Sequence, residues 1–199
     1  MYLSNQIIIL KKTSYRIIYG FTLVLLLILF YSNLPAYAQS SATSATIGKS
    51  SGLKLPRFVS THSKPINIRV GPGKKYDIAW VFVKSGVPIE VINEFDTWRK
   101  IRDSKGAEGW IHQALLSNKR TGRINISSDE QIFLYAKPME KSDILAKIGT
   151  AYPLVIKQCD GNWCEIIIKY ENDREKQISL NGYVKQSTIW GVYEQEKFE

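Results

Sequence analysis

The chain has 199 residues, 44% hydrophobic and 12% aromatic, with a formal net charge of +9. This is ordinary globular composition, with room for one or two small domains. The charge is uneven: residues 57–120 hold twelve Lys and Arg against six Asp and Glu, and residues 121–199 hold ten against twelve. The acidic second half, together with the export signal that follows, argues against a basic nucleic-acid-binding barrel.

Lys11, Lys12 and Arg16 precede an apolar run from Phe21 to Phe30, and Pro35-Ala36-Tyr37-Ala38 follows. This is the pattern of a secretory signal peptide over residues 1–38, cut after Ala38, which makes the mature chain periplasmic or secreted. The alternative is an uncleaved anchor, the one case in which the protein would contact a membrane. The apolar stretch from Ile17 to Tyr31 falls short of the roughly 20 residues a spanning helix prefers. Residues 39–56 are rich in Ser, Ala, Thr and Gly without periodicity and read as a flexible tether.

Strand signals then dominate. Ile66, Ile68 and Val70 alternate with Asn67 and Arg69, the period of a half-buried strand. Gly71-Pro72-Gly73 stops that strand, the glycines by admitting positive φ and the proline by lacking a donor. Ile78 to Val83 resumes extended structure. Pro88 to Phe95 and Trp98 to Arg102 read as a hairpin about Asp96-Thr97, and Gly109-Trp110-Ile111 as a short last strand. A weaker copy follows. Ile132 to Pro138 lines up with Ile66 to Pro72, Pro153 to Ile156 with Pro88 to Val91, Trp163 with Trp98, and Gly182-Tyr183-Val184 with Gly109-Trp110-Ile111. The repeat predicts two all-β units, residues 57–120 and 121–199, each a small barrel or sandwich.

Cys159 and Cys164 flank Asp160-Gly161-Asn162-Trp163. Gly-Asn suits a two-residue turn. The cysteines then face each other at a non-hydrogen-bonded pair, where side chains approach closest. In an oxidising compartment such a pair forms a disulfide. The alternative is two free, partly buried thiols. The matching positions in the first copy are Glu94 and Arg99, where an ion pair is expected, worth about 1 kcal/mol or less if exposed.

Ile66-Asn67-Ile68-Arg69-Val70-Gly71-Pro72-Gly73, Tyr76, Trp98-Arg99-Lys100-Ile101 and Gly109-Trp110-Ile111-His112 together resemble the bacterial SH3-like (SH3b) domain family in order and spacing. The second copy, residues 126–192, resembles an exported subgroup with a Cys-x-Gly-x-Trp-Cys hairpin. It departs at Lys137-Pro138-Met139, where Gly-Pro-Gly is usual, and carries a charged insertion within Tyr170 to Leu180, expected to protrude as a loop. The resemblance implies tandem, strongly bent, partly open barrels of five or six strands. It also implies binding or targeting without catalysis, often toward peptidoglycan or an envelope protein.

No phosphate loop, nucleophile elbow or metal-spaced histidine pair appears, so no enzyme, cofactor or metal is expected. Strand parity puts Trp98 and Ile101 on opposite faces. If Ile101 points inward, Trp98 points outward beside Tyr76 and Trp110 as a platform for sugar rings or an extended peptide. Arg69, Lys74, Lys75, Arg99 and Lys100 add attraction for carboxylates. The competing reading has Trp98 and Trp110 covering the barrel or its junction with the second copy. Tyr135, Tyr183 and Trp190 are expected to bury the interface between the two units, making one rigid body. Two functions remain open: recognition of peptidoglycan or an envelope protein by the aromatic face, or a structural or regulatory protein–protein module that takes an extended peptide at a strand edge.

Overall fold

In the computed structural model the described residues are 46–62, 65–125, 131–150, 153–171 and 176–199. The predicted signal peptide, residues 1–38, and residues 39–45 of the predicted tether lie outside them. The described residues belong to one compact unit.

The first repeat is built from β3 (Arg57–Thr61), β4 (Ile66–Arg69), β5 (Ile78–Phe82), β6 (Pro88–Phe95), β7 (Trp98–Arg102), β8 (Glu108–His112) and β9 (Leu116–Ser117), preceded by a small hairpin of β1 (Thr46–Ile47) and β2 (Lys54–Leu55). The second comprises β10 (Thr121–Ile124), β11 (Ile132–Tyr135), β12 (Ile144–Ile148), β13 (Leu154–Asp160), β14 (Trp163–Glu171), β15 (Gln177–Lys185), β16 (Ile189–Trp190) and β17 (Lys197–Phe198). The strand orders are β5-β4-β8-β7-β6-β3-β9 and β12-β11-β15-β14-β13-β10-β16, with β17 added beside β13. Position for position these are the same antiparallel sheet. The first sheet has seven strands and the second eight where five or six were expected, because a two-residue strand ends each path and β17 adds another to the second.

Alternation explains the curl. In β7, Arg99 and Ile101 are buried while Trp98, Lys100 and Arg102 are only half-buried. Ile66, Ile68, Val91, Ile101 and Ile111 fill the first core, and Leu134, Leu154, Ile156, Ile166 and Val184 fill the second. One face of each sheet is thus apolar and wraps on itself.

Residues 46–56 are not a tether throughout. Leu55 is buried in the first core. Between β1 and β2, Ser51 donates to Glu94 through its backbone N–H at 2.9 Å and its hydroxyl at 2.6 Å. The charged insertion likewise is more than a loop. The β14–β15 ladder runs on through Lys169↔Ser179, Tyr170↔Ile178 and Glu171↔Gln177, lengthening the hairpin.

Cys159 pairs with Cys164 across the β13–β14 hairpin, Cα atoms 4.1 Å apart, and the two are disulfide-bonded and buried in the second core. Glu94 and Arg99 occupy the same pair in the first repeat. Their ion pair is buried rather than exposed. Arg99 Nε lies 3.4 Å from Glu94 and Arg57 Nη2 lies 2.9 Å from it. Arg99 also donates to the Asp96 carbonyl at 2.7 Å and to Gln113.

The repeats meet through aromatic and charged groups of the C-terminal segment. Phe58 packs edge-on to Trp190 at 5.0 Å and against Tyr193 at 4.7 Å, and the Tyr193 hydroxyl donates to Glu90 at 2.9 Å. Arg120, between the repeats, makes two 2.8 Å bonds to Glu196 and lies over the Phe198 ring at 4.4 Å. Tyr135 and Tyr183 are not part of this junction. They face each other across β11 and β15, and the Tyr135 ring meets Trp163. Only Trp190 of the three expected residues lies between the repeats.

Breaking a buried pair leaves a charge without compensation. Arg99→Ala is expected to lower stability by about 3–5 kcal/mol in urea denaturation. Reduction of the short disulfide loop is expected to cost only about 2 kcal/mol.

Burial works against ionisation of Glu94, but hydrogen bonds from Ser51 and Arg57 and the Arg99 charge hold its carboxyl below the ordinary value of 4.5. Burial likewise opposes ionisation of Glu196, and Arg120 with the Tyr193 backbone N–H overcomes it. A depressed carboxyl lends stability above its unfolded value and loses it as pH falls through the folded one. Melting temperature is therefore expected to be level above about pH 5 and to fall below it, and Glu196→Gln should make that fall shallower.

Candidate functional site

The outer face of the first repeat carries three cross-strand rows. Phe95, Trp98 and His112 form one, Asn93, Lys100, Trp110 and Arg69 the next, and Glu90, Arg102 and Glu108 the third. Trp98 is half-buried and meets His112 edge-on at 5.5 Å, and Phe95 beside it is exposed. Trp110 lies diagonal to Trp98, also half-buried. The face is thus aromatic at one end, and its other end is covered where Tyr193 bonds Glu90.

Register places Trp98, Trp110 and Arg69 on one face. Arg69 reaches back to donate to the Tyr76 carbonyl at 2.6 Å, bracing the loop after β4. Lys75 sits 5.4 Å over the Tyr76 ring. Lys74 is exposed and has no ion pair among the described residues. Arg99 does not join them. It is 4% exposed and consumed by Glu94 and the hairpin, because its strand neighbours Trp98 and Lys100 take the outward positions.

The loop after β4 and the loop after β11 share one backbone pattern. Val70 N–H donates to Asp77, Gly73 to Gly71 and Tyr76 to Gly73. Ala136 donates to Asp143, Met139 to Lys137 and Ser142 to Met139 in the same pattern. Gly71 and Gly73 are not among the glycines with positive φ, so conformational freedom is not their reason. Gly71 is small because the Tyr76 ring lies against it; a Cβ there would sit 2.5 Å from Tyr76 Cδ1. The second repeat has Ser142 where the first has Tyr76. That gives Lys137 the room Gly71 lacks, and the unusual Lys137-Pro138-Met139 keeps the fold.

In the second repeat a cavity of about 890 Å³ lies between Met139 and Glu140 of this loop, Asp160 and Trp163 of the hairpin, Lys185 at the end of β15, Gln186 just after it, and Glu194 and Gln195 of the C-terminal segment. A second depression, about 520 Å³, lies on the Tyr183 and Phe198 side of Trp163. Trp163 matches Trp98, and Lys185 opposes it as His112 opposes Trp98. Sequence reading attached the site to the first repeat and overlooked this groove; Trp163, at the position of Trp98, was its available signal.

The groove walls are pinned. Asp160 accepts the N–H groups of Asn162 and Trp163, each at 2.7 Å, and these bonds hold its carboxyl below the usual range. Gln186 is buried: it accepts from Gly161 at 3.1 Å and donates to the Tyr193 and Glu196 carbonyls. Gln113, its counterpart, takes Arg99 instead. Glu140 bonds Lys185 across the mouth, which raises the lysine and lowers the carboxyl. Among the described residues no cluster of three or more His, Cys, Asp or Glu could hold a metal ion.

Two open, antiparallel barrels with outward tryptophans on pinned hairpins define a tandem SH3-like protein. The bacterial SH3 domain family model matches residues 62–118 and again 128–191, and the chain belongs to that family. Its members serve in general as binding modules for cell wall or protein. No curated protein matches the chain. Two solved structures, NlpC2 and NlpC1 from Trichomonas vaginalis, are similar at 10% and 11% identity, each with a TM-score of 0.27. The alignments cover 68% and 72% of this chain and 48% of each of theirs, so the chain spans about half their length.

Gly71→Ala is expected to cost about 1–3 kcal/mol through the clash with Tyr76. Adding Tyr76→Ser, which copies Ser142, should restore most of that loss in thermal unfolding. A double variant as unstable as the single one would contradict the compensation.

Proposed function

We propose that the protein is an exported, non-catalytic binding protein whose tryptophan-centred faces recognise peptidoglycan or an envelope protein. The observation that carries this reading is the groove beside Trp163, walled by a hydrogen-bonded hairpin and bounded by Lys185 and Glu140. An indole edge next to an opposed cation and carboxylate suits a ligand that is part ring or aliphatic chain and part charged peptide. A peptide-bearing glycan polymer has that chemistry, and so does an extended envelope protein segment.

The two repeats divide the work. The first carries the positive charge, with Lys74 exposed and Lys75 over the Tyr76 ring, and suits carboxylates. The second supplies the groove beside Trp163. Repetition on one rigid unit raises avidity for a polymer that repeats. Residues 1–38, read as a cleaved signal, bring both to the periplasm or outside the cell, where the disulfide is stable.

The test is sedimentation with purified sacculi at low salt. Trp98→Ala and Trp163→Ala should each weaken retention by about tenfold or more, given the usual worth of a buried aromatic anchor. Retention of neither the wild type nor any variant would remove the cell-wall reading and leave an envelope protein as the ligand.

A further inference from the structure

Strand β5 ends the first sheet, pairing only with β4 among the described residues. Its sequence and the next residue, Ile78-Ala79-Trp80-Val81-Phe82-Val83, contain no charge and no proline. Trp80 and Phe82 turn inward and pack edge-on at 6.2 Å, with Trp80 lying over Gly109. Those anchors hold the strand rigidly against the core. Ala79, Val81 and Val83 face out, with Val81 42% and Val83 71% exposed. An edge like this presents unpaired N–H and C=O groups, and proteins ordinarily guard it with lysine, proline or a short length.

The second repeat supplies the comparison within the same molecule. Its matching edge, β12, ends the second sheet. Phe133 pairs with Lys147 just as Asn67 pairs with Val81, so Lys147 stands where the first repeat has Val81. Lys147 is exposed. One repeat carries the guard and the other lacks it.

We propose that β5 is a docking edge for an extended peptide that adds a strand to the first sheet, with apolar residues alternating in its centre and acidic residues at its ends. The charge pattern selects that occupant. Lys74 and Lys75 precede the strand and Lys84 follows it, with Asp77 the single acid in this stretch. A second copy pairing antiparallel about Trp80 would set Lys84 beside Lys75 of the other copy at both ends, and like charges there repel. An acid-ended peptide meets lysines at both ends instead. Main-chain bonds would give the affinity and the flanking charges the choice of partner. Val81 lies on β5, outside the cross-strand rows that carry Trp98 and Trp110, while Lys74 and Lys75 serve both surfaces.

The probe is a capped ten-residue peptide of sequence EEVTVTVTEE, added to the protein while amide hydrogen exchange is followed. Protection should appear at Ile78 to Phe82 at roughly millimolar peptide, an affinity ordinary for one short strand. Val81→Lys, a change at a half-exposed site that thermal unfolding will show to be folded, should weaken it by about tenfold or more. A peptide with lysines in place of its glutamates should give no protection. Equal binding by Val81→Lys, or protection by the lysine peptide, would overturn the proposal. So would protection of β5 that grows with protein concentration without peptide, because the occupant would then be a second copy. Sacculus retention should be unaffected by Val81→Lys, which keeps this result distinct from the groove reading.

Discussion

Everything that positions the two tryptophans depends on a single cross-strand pair at the neck of each hairpin. At a non-hydrogen-bonded pair the two side chains approach closely enough to be bonded. The second repeat joins Cys159 to Cys164 there. The first joins Glu94 to Arg99 and then surrounds the carboxylate with Arg57 and Ser51. The two solutions differ in their demands. A disulfide is apolar and belongs in the core, whereas a buried ion pair must satisfy its remaining lone pairs and protons or it destabilises. That demand is why the β1–β2 hairpin folds over Glu94 and why Arg99 also reaches Asp96 and Gln113.

A second constraint is steric. In the first repeat Tyr76 closes the loop after β4 and requires glycine at residue 71. In the second, Ser142 opens it and lysine fits at residue 137, with the backbone bonds unchanged. The groove beside Trp163 lies between that loop, the disulfide hairpin and the C-terminal segment. The two repeats thus carry different loops and opposite charge bias on one scaffold.

The C-terminal segment makes the scaffold one body. Tyr193, Glu196 and Phe198 each touch something outside their own turn: Glu90 in the first repeat, Arg120 between the repeats, and the disulfide hairpin through β17. Gln186 binds two carbonyls of this segment while holding Gly161 at the groove wall. The junction and the groove therefore share a hydrogen-bonded frame, and the free edge of β5 lies at the opposite margin of the first sheet from β9.

The repeat, the strand periods, the hairpin turns and the cysteine pairing were legible in the amino-acid order because each is local. A two-residue alternation, a Gly-Asn turn and the equal spacing of Trp98 and Trp163 involve residues close in the chain. What the sequence by itself determined was therefore the all-β architecture, the duplication and the outward parity of the tryptophans. Only the tertiary structure decided that Arg99 is spent inside, that the β1–β2 hairpin packs on the first repeat through Leu55 and Ser51, that Trp190 but neither Tyr135 nor Tyr183 meets the aromatic junction at Phe58, and that a groove lies beside Trp163. Each of these depends on contacts between residues tens of positions apart, such as Ser51 with Glu94 and Tyr193 with Glu90, and no local pattern records which distant side chain will fill a given space.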